Sequence, residues 1–175
     1  GLATFRTIAT TLNFVKETRG ETLVVQDLQL EDEKTFELLA RGETVGIFQL
    51  EGAAITRHLT HLKPTSVADL AVMVALYRPG PMANIDDYIA MKEGSGAVTS
   101  LHPALDPILE ETHGVMVYQD QVLLAARDIA GYTWPEIDVM RKAMGKKIAE
   151  ELRVQRDKFV AGAVANDVER SIAED

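Results

Sequence analysis

Apolar residues recur along this chain mostly at intervals of three and four, the spacing that lines one side of a helix. Phe5, Ile8, Leu12 and Val15 set a helix over residues 3–18, stopped by Gly20. Thr7, Thr10 and Thr11 weaken it, being β-branched. Phe36, Leu38 and Leu39 mark a helix over 32–41, ended by Gly42. Residues 53–62 form another, closed by Pro64. Ser66 is an N-cap with Asp69 three residues on, a variant capping box. The helix it starts runs through Leu70, Met73, Val74 and Tyr77 to Arg78-Pro79-Gly80-Pro81. Residues 85–91 and 103–111 are short helices, and 92–100, with Gly94-Ser95-Gly96, is the best candidate loop.

The C-terminal half continues the pattern. Val122, Leu123, Ala126 and Ile129 face inward on a helix over 119–130, broken by Gly131. Thr133, with Pro135 in the first turn and Glu136 three residues on, opens a helix that turns Ile137, Met140 and Met144 inward and stops at Gly145. Residues 148–164 form a long helix, and 166–175 read as a polar end that frays. Three stretches break the helical period. Leu23 to Val25 reads as a short strand, Thr44 to Leu50 (TVGIFQL) as a buried strand, and Gly114 to Tyr118 as an extended segment. The expected fold is mainly α with two or three short strands, an α+β chain.

Composition narrows the class. With 175 residues and 46% apolar content, the chain can bury a core as a single domain with an appendage. It contains no cysteine, which excludes disulfides and thiolate metal sites. No apolar run approaches a membrane span, and residues 1–20 lack the uninterrupted apolar core of a signal peptide. The expectation is a cytoplasmic protein with no membrane partner.

A net charge of −9 argues against a surface that coats nucleic acid broadly. The exception is Arg141-Lys142-Ala143-Met144-Gly145-Lys146-Lys147, four cations in seven residues. Two readings stand. Cations in the last turn of a helix suit its negative end. Equally, a local basic cluster in an acidic chain suits a multiply charged anion. Lys142 and Lys146 lie about one turn apart, and Asp138 is within pairing range of Lys142.

Arg78, held by Pro-Gly-Pro, and Tyr118-Gln119-Asp120-Gln121, where an extended segment turns into a helix, are further candidates for a site. Each also reads as plain architecture, a rigid turn and a helix N-terminus. His58 and His61 lie three apart, but no carboxylate completes a metal site with them. No Walker A, GxGxxG or GxSxG sequence occurs. No residue is assigned as catalytic and none as a metal ligand.

Taken in order, several motifs form one collinear set: Gly46-Ile47-Phe48-Gln49-Leu50-Glu51, Ala75-Leu76-Tyr77-Arg78-Pro79-Gly80-Pro81-Met82, Asp87-Tyr88-Ile89, Val117-Tyr118-Gln119-Asp120-Gln121-Val122, Ala130-Gly131-Tyr132, and the basic run from Arg141 to Lys147. From about Gly1 to Gly162 the chain resembles the fingers region of the alpha subunit of bacterial DNA polymerase III, the C-family replicative polymerase.

The resemblance implies a fragment of a longer DNA-directed DNA polymerase. Residues 1–20 would be a helix continuing from a palm domain outside this chain, and 21–175 the fingers domain. It implies that three palm aspartates hold Mg2+ and lie upstream of Gly1, so the fragment alone would be inactive. It implies that the fingers grip the incoming dNTP, with Arg141 and Lys142 on the triphosphate. Lys146, Lys147, Arg78, Gln49, Tyr118 and Gln119 would line the nucleotide site. Primer-template DNA and the other polymerase III holoenzyme subunits would be partners of the parent.

Lys142 stands where the family more often has Arg, which keeps charge but loses the planar fork. Asp120, His113 and Ile137 also depart from the family's usual Glu, Tyr and Ala. These departures leave open a paralogous, error-prone member of the same family. The competing class is a non-catalytic acidic helical interaction domain.

Overall fold

In the computed structural model, residues 2–95 and 101–174 are described. The expected loop over 92–100 lies partly outside them. The helices are α1 (Leu2–Arg19), α2 (Glu33–Ala40), α3 (Ala53–Leu62), α4 (Val67–Leu76), α5 (Ile85–Lys92), the single turn α6 (Asp106–Leu109), α7 (Gln119–Asp128), α8 (Trp134–Lys146), α9 (Ala149–Ala165) and α10 (Arg170–Glu174). Short 3₁₀ turns at Val25–Asp27, Pro81–Asn84, Pro103–Leu105 and Glu110–Thr112 fill several connections.

No strand occurs among the described residues, so the fold is all-α and the α+β expectation is corrected. The physical reason is clearest at 44–50. A strand needs a neighbour to take its backbone bonds, and none is beside it. Two successive turns pair those groups locally instead. Ile47 N–H donates to Thr44 O, and Leu50 N–H to Ile47 O, both at 3.0 Å. Gly46 (φ +79°) and Gln49 (φ +64°) supply the left-handed corners. Thr44 and Leu50 are buried while Val45 and Phe48 are 95% and 72% exposed, a pattern that a buried strand would not leave. Val25 enters a 3₁₀ turn. Residues 115–117 are extended without a ladder, because Gln121 Oε1 accepts from both Val117 N–H (2.8 Å) and Tyr118 N–H (2.9 Å).

Two apolar clusters hold the helices. The first gathers Phe36 and Leu39 of α2, Ile55, Leu59 and Leu62 of α3, Val72, Met73 and Leu76 of α4, and Ile85 and Tyr88 of α5, with Leu50 and Val115 from connecting segments. The second gathers Leu105, Leu109, Ala125, Ala126, Ile129, Ala130, Tyr132, Ile137, Ala163 and Val168. Gln121 sits at the seam. Its Nε2 donates to Thr112 Oγ1 (2.8 Å) and Ile108 O (3.3 Å), and Thr112 Oγ1 donates to Val115 O (2.6 Å). All four hydrogen-bonding capacities of a buried amide are thus met.

A second polar hub was invisible in the sequence. Ser66 Oγ does cap α4 at Asp69 N–H, as the capping pattern predicts. The Asp69 carboxylate, however, turns inward. It accepts from Thr65 N–H (2.8 Å), Tyr88 Oη (3.0 Å) and Lys92 Nζ (2.7 Å), tying α4 to α5. Burial pushes this carboxyl up, but the Lys92, Thr65 and Tyr88 bonds outweigh it and hold it below its ordinary value. Burial, then Asp69, push the Tyr88 hydroxyl far up.

Two helix ends are corrected. Gly145 does not stop α8. The helix runs on to Lys146, and Lys147 takes the left-handed position (φ +53°). Residues 166–174 do not fray. Val168 is buried, Asn166 Nδ2 donates to Ile129 O (2.9 Å), and α10 packs on α9. The N-terminal helix has no buried residue. Phe5 and Phe14 on it are largely exposed.

Candidate functional site

The basic end of α8 is positioned by its other end. Glu136 accepts from Thr133 N–H and Oγ1, closing a capping box that fixes the start of the helix. Lys158 of α9 bonds the same carboxyl, and it is held at about 2 by Lys158 first and then by the Thr133 groups. Ile137, in the second core, and Ala143 are buried. That rotation leaves Arg141, Lys142, Lys146 and Lys147 exposed.

Asp138 is their one carboxylate partner among the described residues. It meets Arg141 Nη2 and Lys142 Nζ, each at 2.6 Å, in the i+3 and i+4 positions. Lys142 first, then Arg141, hold the Asp138 carboxyl below its ordinary value. Lys146 and Lys147 make no ion pair among the described residues. Four cations against one acid leave a local excess of positive charge on a chain that is negative as a whole. Being exposed and flexible, these pairs are easily exchanged for another anion.

The other sequence candidates border the first core. Ile47, Tyr77 and Tyr118 pack against it as partly buried side chains. Gln49 is exposed on the second turn, next to Leu50. Arg78 follows a tight bend at Tyr77 (φ −74°, ψ 67°), closed by Arg78 N–H to Leu76 O at 2.7 Å, which turns its side chain to solvent. Burial first, then Glu111 and Asp120, raise the Tyr118 hydroxyl, so it stays a phenol. Gln119 is exposed at the first position of α7. No hydrogen bond or ion pair among the described residues joins these four to the α8 cations. The structure groups Arg141, Lys142, Lys146 and Lys147 at the end of α8, while Tyr118 packs against the first core and Gln49, Arg78 and Gln119 are exposed on other segments.

Among the described residues no group of three His, Asp or Glu is placed to hold a metal ion, and no helix is long and apolar enough to cross a membrane. Asp69 and Gln121, which sequence reasoning did not single out as organisers, position the elements that carry Arg78 and Tyr118. Only the buried position of Asp69 opposite Tyr88 and Lys92 reveals the first, and no local pattern signals it.

The domain is all-α among its described residues, acidic as a whole, and carries a cluster of exposed cations at the end of α8. Comparison with known proteins gives this class a family. A family model described as "Bacterial DNA polymerase III alpha subunit finger domain" matches residues 4–167. The DNA polymerase III subunit alpha of Halalkalibacterium halodurans is 47% identical over 173 residues, covering 99% of this chain and 16% of that protein. That of Rickettsia prowazekii is 44% identical over 173 residues, covering 99% and 15%. That of Thermus aquaticus is 44% identical over 168 residues, covering 93% and 14%. The chain belongs to the finger-domain family of bacterial DNA polymerase III alpha subunits. It spans 14–16% of the length of these relatives.

Proposed function

We propose that this chain is the part of a replicative DNA-directed DNA polymerase that receives the triphosphate of the incoming dNTP. The observation that carries the reading is the exposed end of α8, where Arg141 and Lys142 share the carboxylate of Asp138 and Lys146 and Lys147 make no ion pair among the described residues. A triphosphate brings more negative charge than Asp138 and exchanges with it, keeping Arg141 and Lys142 hydrogen-bonded throughout.

In the proposed reaction the primer 3′-hydroxyl attacks the α-phosphorus of the dNTP, forming a new phosphodiester bond as pyrophosphate leaves. The cations of α8 orient the triphosphate and offset the charge that grows on the leaving oxygens. Gln49, Arg78, Tyr118 and Gln119 line the remainder of the nucleotide site. The described acids of this chain are not grouped to hold a metal ion. Mg2+ belongs to the parent polymerase, with carboxylates outside this chain. Primer-template DNA and the other holoenzyme subunits would act with the whole cytoplasmic enzyme, and the fragment alone would not extend a primer.

Two experiments test this. A fluorescent dNTP titrated into the 175-residue chain should bind in a salt-sensitive way and lose affinity in Arg141→Ala. In the full-length parent, Arg141→Ala should lower kcat/KM for dNTP by about one to two orders of magnitude, from the roughly 1.5–3 kcal/mol of a charge-assisted contact. Arg57→Ala, on the exposed face of α3, should change it little. Equal effects of the two variants would reduce Arg141 to a helix-end cation. Primer extension by a preparation of the 175-residue chain free of host polymerase would refute its inactivity.

A further inference from the structure

The inner side of α8 borders a cavity of about 450 Å³ that the nucleotide reading does not use. Met140 and Met144 of α8 form one wall, Leu152 and Phe159 of α9 another, and Ile172 of α10 a third. These walls are carbon and thioether, adaptable in shape because Met is unbranched and polarisable. His102 and the exposed Arg156 and Glu174 also border the cavity, and one buried polar atom on its walls stands out. Gln155, on α9, also lines the cavity, and its Oε1 is the one buried side-chain oxygen or nitrogen without a hydrogen-bond partner among the described residues. A buried acceptor left unpaired is destabilising, and native proteins rarely keep one without a use.

The size falls in the range of small-molecule sites, roughly 300–1,000 Å³, which are mostly apolar with a few placed polar groups. It suits two or three fused rings. We propose that this cavity is a binding site for a compact apolar molecule carrying one N–H or O–H donor, seated on Met140 and Met144 with its donor on Gln155 Oε1. The site lies apart from the α8 cations and does not depend on what they bind.

The probes are β-naphthol and its methyl ether, which have the same rings with and without the donor. Each is titrated into the 175-residue chain while methionine methyl signals are followed by NMR. Naphthol should bind saturably with Kd on the order of 0.1 mM, as expected for a ligand of its size. It should shift Met140 and Met144 and leave Met73, in the first core, unmoved. The ether should bind at least about fivefold more weakly, the value of one hydrogen bond to a buried acceptor.

Gln155→Leu removes the unpaired oxygen at similar volume. It should melt no lower than the parent chain and bring the two probes to equal affinity. Ala173→Phe, which fills the cavity from α10, should abolish binding of both. The proposal is overturned by any of four results: no saturable binding, shifts centred on Met73, an ether that binds as well as naphthol to the unaltered chain, or a Gln155→Leu chain that is destabilised.

Discussion

Gly162→Ala is the substitution whose sign most sharply separates local propensity from packing. Gly162 lies within α9, where exchanging Gly for Ala should stabilise by about 1 kcal/mol through helix propensity alone. The structure reverses this. A Cβ built at Gly162 would stand 2.2 Å from Ala130 O, 3.1 Å from its carbonyl carbon and 3.3 Å from its Cα. These are backbone atoms of the α7–α8 connection, not the end of a side chain that can swing away. Relieving the overlap needs α9 to withdraw by roughly 1 Å across an interior packed at crystal-like density. Overpacking of this kind costs up to about 3 kcal/mol, so after the propensity gain the net loss is about 2 kcal/mol. For a chain of this length that is a fall of roughly 4–8 °C in Tm. Thermal and urea denaturation of the 175-residue chain, at one protein concentration, would measure it. Gly145→Ala is the control, because a Cβ there meets nothing within 4 Å on helix α8. It should stabilise by about 0.5–1 kcal/mol. If both variants raise Tm, the close approach of α9 to Ala130 is not as described.

Four other outcomes rest on the same structure. Lys92→Met should cost about 3–5 kcal/mol, because it leaves the Asp69 carboxylate, whose side chain is 4% exposed, without its ammonium partner. Since the Asp69 carboxyl is depressed in the fold, its contribution is full above its ordinary value of 3.8 and is lost as pH falls through the depressed one; an acid titration in which Asp69→Asn shows the same slope below pH 3.8 as the parent chain would contradict this. Thr133→Ala should remove the capping box of α8 at a cost of about 1 kcal/mol, read by chemical denaturation, with no change expected in the first core. Deleting residues 1–20 should leave Tm unchanged, because α1 buries nothing, and should abolish any concentration-dependent association seen by solution mass; a fall in Tm would show that the helix packs on the domain.

What the sequence made legible was local. Helical spacing placed α2 to α5 and α7 to α9 within a residue or two, and Ser66, Thr133, Gly20 and Gly42 marked ends that the chain uses. The pairing of Asp138 with Lys142 followed from spacing alone. Residues 44–50 misled because β-branched composition reports fit to a sheet, not the presence of a partner strand. Asp69 was read with its neighbour Ser66, yet its decisive partners Tyr88 and Lys92 are 19 and 23 residues away. The two helical glycines were indistinguishable in sequence. Only the position of Ala130 separates them. For the site, the α8 cations were legible because charge is local. How Gln49, Arg78, Tyr118 and Gln119 stand toward them was not, since order along the chain carries no distance.

The seam at Gln121 bears on the order in which the molecule is assembled. The first cluster draws its residues from Phe36 to Val115, and the second from Leu105 to Val168. The stretch 105–115 is shared between them. A chain emerging from the ribosome can close the first cluster as soon as Val115 is released, but the extended residues that follow it stay unpaired until Gln121 arrives six residues later. Synthesis from the N-terminus therefore builds the Arg78 side of the domain first and the half that carries the basic helix afterwards. A nascent chain paused between Val115 and Gln121 would present a nearly finished core with an open end, the point at which protection by a chaperone is worth most.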